Sequence, residues 1–207
     1  PVWNYWGRGG KRHSLPYPAL RGARQLQNAS ACLTALDALN PALPVTISDI
    51  RYGLLNVAWP GRFQVLPGRP VTVLDVAHNP GAARTLAENL ASMGPYGKTY
   101  GIFAMLKDKD IVGVARVLAP HVDIWLVAGI DTPRGASAEE MALALVEAGI
   151  QDVRATEEGG EEVIRLFPDI AAAYAFARNQ ASLNAKGNDR ICVFGSFNTV
   201  AEVLRNA

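Results

Sequence analysis

The chain holds 207 residues, 49% hydrophobic and 19% charged, which suits a globular protein with apolar side chain for one substantial core and part of a second. A formal net charge of +1 gives no electrostatic case for nucleic acid or an anionic membrane surface, and no apolar run approaches the roughly 18 residues of a membrane span. Residues 1–10 lack the pattern of a secretory signal, so the cytoplasm is the expected compartment, and an opening Pro in place of Met suggests a piece of a longer protein. Cys32 and Cys192 stand in helical and strand patterns without metal-ligand spacing, and are expected as buried thiols.

Residues 1–18 are aromatic and basic, with Trp3, Tyr5 and Trp6 ahead of GRGGKRHSLPYP. Glycines between strand-formers predict a hairpin or strand ends belonging to a preceding domain. Arg8, Lys11, Arg12 and His13 are expected on a solvated loop, since scattered cations without anion-binding geometry are common on surfaces. From 20 to 39 the apolar spacing (Leu26, Ala29, Leu33, Leu36, Leu39) is helical and Asn40-Pro41 ends it. Gln25 and Asn28 share a face near its start; paired amides can both donate and accept, as reading an adenine edge requires, or they are simply exposed. A second helix is predicted over 46–58, capped by Thr46 or Ser48, with Ile47, Ile50, Leu54 and Leu55 on one face.

Trp59-Pro60-Gly61 breaks that pattern, and the domain boundary is placed here, giving domains 1–59 and 60–207. Residues 62–66 form a short strand whose Arg62 sits at the junction, where it can meet a phosphate on closure or pair a local carboxylate. The stretch 71–77 (VTVLDVA) reads as a parallel strand buried on both faces, followed by a turn with His78, Asn79 and Pro80 and a helix opening at Gly81. Ligands bind beyond the carboxyl ends of such strands, and Asp75, His78 and Asn79 fall together at this one. An ionised Asp75 in an apolar run needs a partner or a ligand; equally, Asp75 can cap the following helix and His78 can be a satisfied turn residue.

A further strand is predicted over 98–105, with 106–110 (LKDKD) at its carboxyl end and a helix from Ile111 capped by Asp108 or Asp110. Lys109 opposes the dipole of that helix, so helix stability does not explain it. Residues 122–129 form another buried strand; Ser137 and Glu140 make a capping box for a helix over 138–148, and the RGAS stretch before it needs only a structural reading. A short strand over 153–156, an acidic loop EEGGEE, an Ala-rich helix over 170–180 and a last strand over 190–197 follow, then a helix over 199–205. Gly195, Ser196 and Phe197 end that strand, where small residues let backbone approach a ligand. Strands alternating with helices from Arg62 onward give an α/β fold: a Rossmann-like, mostly parallel sheet flanked by helices. No GxGxxG follows a strand and no GxxxxGK[ST] occurs in the 207 residues.

Four stretches in this order, PGRF at 60–63, DVAHNP at 75–80, MLKDKD at 105–110 and FGSFNTV at 194–200, resemble the folylpolyglutamate synthase and dihydrofolate synthase family, relatives of the Mur ligases. The resemblance covers nearly the whole chain and about the last half of a typical member. It implies a Mur ligase C-terminal domain over 60–207, preceded by the tail of a central ATP-binding domain. Residues 22–29 match GxxQxxNA, which gives Asn28 the adenine contact. By the same resemblance Asp75 meets the ribose hydroxyls, Arg62 and His78 the phosphates, and Lys109 with Ser196 and Phe197 the incoming L-glutamate; His78 and Lys109 are the catalytic candidates.

The implied reaction is ATP-dependent, ADP-forming addition of L-glutamate to dihydropteroate or tetrahydrofolate through an acyl phosphate, by a monomer without nucleic-acid or membrane partners. The P-loop and the Mg²⁺ ligands are expected in an amino-terminal half outside these residues, so none of the 207 is assigned to metal and the piece alone is expected to be catalytically silent. Two alternatives remain at this stage: a Mur-type ligase of peptidoglycan synthesis and a non-catalytic α/β binding module.

Overall fold

A computed structural model describes residues 1–22, 24–40, 42–150, 163–184 and 187–206. The short strand expected over 153–156 and the acidic run at 157–162 lie outside the described residues. The chain divides into two compact units, Pro1–Pro60 and Gly61–Ala207.

In the first unit, strands β1 (Val2–Gly7) and β2 (Gly10–Pro16) pair antiparallel as a hairpin, followed by helices α1 (Gln25–Leu39) and α2 (Ile47–Asn56). Tyr5, Leu15, Leu33 and Ile50 form a small core of its own. The cations expected on a solvated loop belong largely to β2, and Arg12 is not free: it pairs with Asp37 of α1, whose side chain is 1% exposed. Asp37 also accepts from the Tyr5 hydroxyl (3.1 Å) and the Gly9 N–H (3.2 Å), so one carboxylate fastens the hairpin to α1. Arg12 holds that carboxyl below the usual carboxylate range.

Thr46 caps α2 in a reciprocal box with Asp49. Of the four residues expected on its inner face, Ile50 is buried and Leu54 packs on the small core of this unit, while Ile47 and Leu55 are exposed. Cys32, expected inside, is exposed on α1. Helix α1 also starts five residues later than its apolar spacing suggested, at Gln25.

In the second unit β3 (Gln64–Leu66) lies antiparallel to β4 (Val71–Asp75), and the chain then alternates through α3 (Pro80–Ser92), β5 (Thr99–Phe103), α4 (Ile111–Leu118), a 3₁₀ turn Ala119–His121, β6 (Ile124–Ala128) and α5 (Ala138–Glu147). It continues with β7 (Ile164–Phe167), α6 (Ile170–Leu183), β8 (Arg190–Phe194) and α7 (Phe197–Asn206). The sheet order is β3-β4-β8-β5-β6-β7, all parallel after β3, which is the doubly covered α/β sheet expected.

Alternation along the strands divides the core between two faces. Val73, Phe103, Trp125, Cys192 and Phe194 pack under helices α3, α4 and α5; Leu74, Ile102, Leu126, Ile191 and Val193 pack under α6 and α7. On the first face Phe103 stacks on Phe194 at 4.8 Å with Trp125 edge-on to both. Burial beside them pushes the Cys192 thiol far up, so it is a core residue and no nucleophile. Ser137 and Glu140 form the expected capping box of α5, with Ser137 N–H donating to Glu140 at 2.7 Å.

Asp37→Ala should strip Arg12, Tyr5 and Gly9 of their acceptor and cost the first unit about 1–3 kcal/mol, read as faster amide exchange across β1 and β2. Because the folded state holds the Asp37 carboxyl low, its contribution is complete above the usual carboxylate range and is lost as pH falls through the depressed value. Acid titration of the unaltered protein should therefore reproduce the variant's exchange pattern, and exchange unchanged by both treatments would refute the role of this clamp.

Candidate functional site

Register places three strand ends side by side. Asp75 pairs with Phe194 and Phe194 with Phe103, so the turns leaving β4, β8 and β5 emerge at one level on the carboxyl edge of the sheet. β8, last in sequence, lies between β4 and β5, and a strand inserted after a crossover is where an open α/β sheet leaves its ligand crevice.

The β4 end is fixed by Asp75. Its two oxygens accept from the Phe63 N–H (2.9 Å) and the Ala77 N–H (2.8 Å). Asp75 therefore does not cap the following helix: Asn79 does, accepting from Ala82 N–H at 2.9 Å with Pro80 in the first turn. Burial pushes the Asp75 carboxyl up, opposed by these two N–H groups and by the charge of Arg62. Phe63 is buried at φ +44°, a left-handed conformation costly for an aromatic residue, and the bond to Asp75 holds it there. Arg62, exposed, is carried on this turn.

Beyond the strand ends a cavity of ≈ 270 Å³ is lined by His78, Leu106, Lys109, Arg134, Gly195, Ser196, Phe197 and Asn198. Four residues expected at the site, His78, Lys109, Ser196 and Phe197, are thus brought together. Arg134 is an addition: the sequence reading gave its loop no role beyond structure. An antiparallel bridge between Leu106 and Gly135, with Lys107 N–H donating to the Arg134 carbonyl at 2.9 Å, draws that loop across to the β5 end. Asp108 lies between the cations, 2.8 Å from Arg134 and 3.4 Å from Lys109, and Arg134 above all holds its carboxyl low. Asp110, not Asp108, caps α4, accepting from Gly113 N–H at 2.8 Å.

The β8 end is held by a buried hydroxyl relay. Thr199 donates to the Ala104 carbonyl (2.8 Å), so the 2.8 Å contact between Ser196 and Thr199 is one in which the Ser196 hydroxyl donates; Ser196 in turn accepts from Thr199 N–H at 3.1 Å. The Ser196 proton is therefore committed inside the protein. Gly195 adopts φ +113°, and a Cβ there would run into the Ala104 carbonyl. Phe197 opens α7 and is 56% exposed at the cavity mouth. His78 makes one internal bond, from Nδ1 to the Val76 carbonyl at 2.9 Å. A carbonyl only accepts, so Nδ1 carries the hydrogen and the neutral ring keeps its lone pair on Nε2.

Asn28 belongs to the first unit. Its amide donates to Gln25 at 3.1 Å, and both border an almost wholly apolar cavity of ≈ 280 Å³ between α1 and α2, with Leu33, Ile50 and Leu54 in its walls. Among the described residues no group of three His, Cys, Asp or Glu side chains could hold a metal ion.

The sequence pattern described as "Mur ligase, glutamate ligase domain" matches residues 61–197. The dihydrofolate synthase/folylpolyglutamate synthase of Escherichia coli is 33% identical over 202 residues, 98% of this chain and 42% of the relative. The chain thus spans less than half the length of the curated relatives it matches. Among solved structures, a Mycobacterium tuberculosis folylpolyglutamate synthase complexed with ADP and AMPPCP superimposes with TM-score 0.83 at 27% identity, over 100% of this chain and 45% of that one. A bifunctional folylpolyglutamate synthase/dihydrofolate synthase with Mn, AMPPNP and L-glutamate bound gives TM-score 0.73 at 37% identity, over 95% and 42%.

Asp75→Ala should leave the Phe63 and Ala77 N–H groups without an acceptor, accelerate amide exchange at both and lower the stability of the second unit by about 1–3 kcal/mol. Asp108→Ala, at the exposed cation pair, should leave stability unchanged. Equal melting losses in the two variants would contradict the structural part of the role given to Asp75.

Proposed function

The chain belongs to the family of the Mur ligase, glutamate ligase domain, and on that premise we propose that it is the part of an ATP-dependent, ADP-forming amide ligase that receives L-glutamate. In the whole protein, L-glutamate is joined to dihydropteroate, tetrahydrofolate or both, by a monomer acting in the cytoplasm. The observation that carries this reading is the cation-walled cavity at the ends of β4, β8 and β5, on a chain that aligns over 98% of its length with a dihydrofolate synthase/folylpolyglutamate synthase. That alignment favours the folate reading over peptidoglycan synthesis.

The chemistry needs what these residues offer. ATP phosphorylates a substrate carboxylate, and the resulting acyl phosphate is attacked by the amino group of L-glutamate, so positioning and neutralisation of anionic charge dominate. Lys109 and Arg134 supply two cations for carboxylate groups, and Phe197 covers the aliphatic part of the ligand at the cavity mouth. Arg62, on the turn fastened by Asp75, serves a phosphate. Asp75 and Asn28 take the ribose and adenine roles that the resemblance implies, Asn28 beside an apolar wall suited to a flat heterocycle.

In the whole protein, Lys109→Ala and Arg134→Ala should each raise the KM for L-glutamate roughly tenfold or more, the loss of one charge-assisted hydrogen bond, with the KM for ATP little changed. Release of ADP should depend on both L-glutamate and a pteroate or folate acceptor. Turnover with UDP-sugar peptides in their place, or a rise confined to the KM for ATP, would overturn the reading.

A further inference from the structure

The amino group of free L-glutamate is an ammonium ion at neutral pH and cannot attack a carbonyl until it loses a proton. We propose that His78 is the base that takes that proton, a role that rests on the ligase reading above.

The cavity leaves one group able to do it. Lys109 and Arg134 are already protonated cations, the Asn198 amide is not basic, and the Ser196 hydroxyl is committed to Thr199. Asp108, between the two cations, is held in its weakly basic ionised form. His78 alone presents an available lone pair, on Nε2, because the bond from Nδ1 to the Val76 carbonyl fixes the tautomer, as an orienting acceptor does for catalytic imidazoles generally. The charged groups around the ring are Lys109 with Asp108 from the loop after β5 and Arg134 from the loop before α5. The turn into α7 brings none, and Asp75 and Arg62 lie at its own end of β4. Cations bound to the carboxylates repel the ammonium proton, which assists its departure.

Step by step, Nε2 accepts a proton from the ammonium, and the freed nitrogen pair forms the C–N bond to the acyl phosphate. The C–O bond breaks with its electron pair going to phosphate. The second N–H proton leaves with that phosphate, and the imidazolium returns its proton to water.

The experiment uses the whole protein and two nucleophiles. L-glutamate arrives protonated, whereas hydroxylamine is already unprotonated at neutral pH and traps an acyl phosphate as a hydroxamate without help from a base. In His78→Asn the amide nitrogen can still donate to the Val76 carbonyl but the basic atom is gone, and His78→Ala is the second variant. Glutamate ligation should fall roughly 100-fold or more while hydroxamate formation persists. If ligation and hydroxamate formation fall together, His78 serves the phosphates or the fold and the proposal is wrong; if neither falls, it is wrong as well. Failure of the unaltered protein to ligate L-glutamate at all would instead remove the ligase reading, and this role with it.

Discussion

The arrangement depends on one strand placement, β8 between β4 and β5. Parallel pairing on both sides sets Asp75, Phe194 and Phe103 level, so three loops distant in sequence leave the sheet at the same height. A shift of one residue along β8 would exchange its two faces, moving Phe194 out of the aromatic cluster with Phe103 and Trp125. The packing of the core and the alignment of the site are therefore the same constraint.

The loops are then held by bonds that do not involve a ligand. Thr199 fastens the β8 turn to the Ala104 carbonyl, and Asp75 fastens the β4 end to Phe63. The bridge at Leu106 and Gly135 fastens the loop before α5 to the loop after β5. The ties at Ala104 and Asp75 use a buried or half-buried acceptor whose loss would leave a donor unpaired, so the cavity walls are positioned before anything enters. Substrate binding then loses less free energy to ordering the protein.

Features that depend on neighbours in sequence were legible. The strand, turn and helix around His78, the capping box at Ser137 and Glu140, and the alternation that gives a covered parallel sheet all follow from residues within a few positions of one another. Features that depend on long-range placement were not. Nothing near Arg134 says that a bridge will carry it to Lys109, although a Pro-Arg-Gly loop just beyond a buried strand was a signal that the loop lies on the carboxyl edge. Asp75 was recognisable as a carboxylate needing a partner, but the partner, a backbone N–H of a left-handed Phe63, is a tertiary contact. The same limit explains Arg12, which local composition assigned to solvent and the fold assigns to Asp37. Ser196 was recognised by its place at a strand end, while its engagement with Thr199 is a tertiary arrangement that local sequence does not show.

The charge pattern of the cavity carries the last step. Two cations and one carboxylate within 4 Å leave a single net positive charge at the mouth. An unopposed pair of cations there would repel each other and bind any anion; with Asp108 between them, each is held in place and partly neutralised. A ligand that displaces solvent from this cluster is favoured only if it brings more negative than positive charge and spreads it over separate groups. A dicarboxylic amino acid does so, with two carboxylates, one ammonium and a net charge of −1. A monocarboxylic amino acid, neutral as a zwitterion, leaves one of the two cations without a partner, and desolvating an unpaired cation is the larger cost. On the ligase reading proposed above, selection between them would follow from the number of cations that Asp108 holds together and not from the size of the cavity.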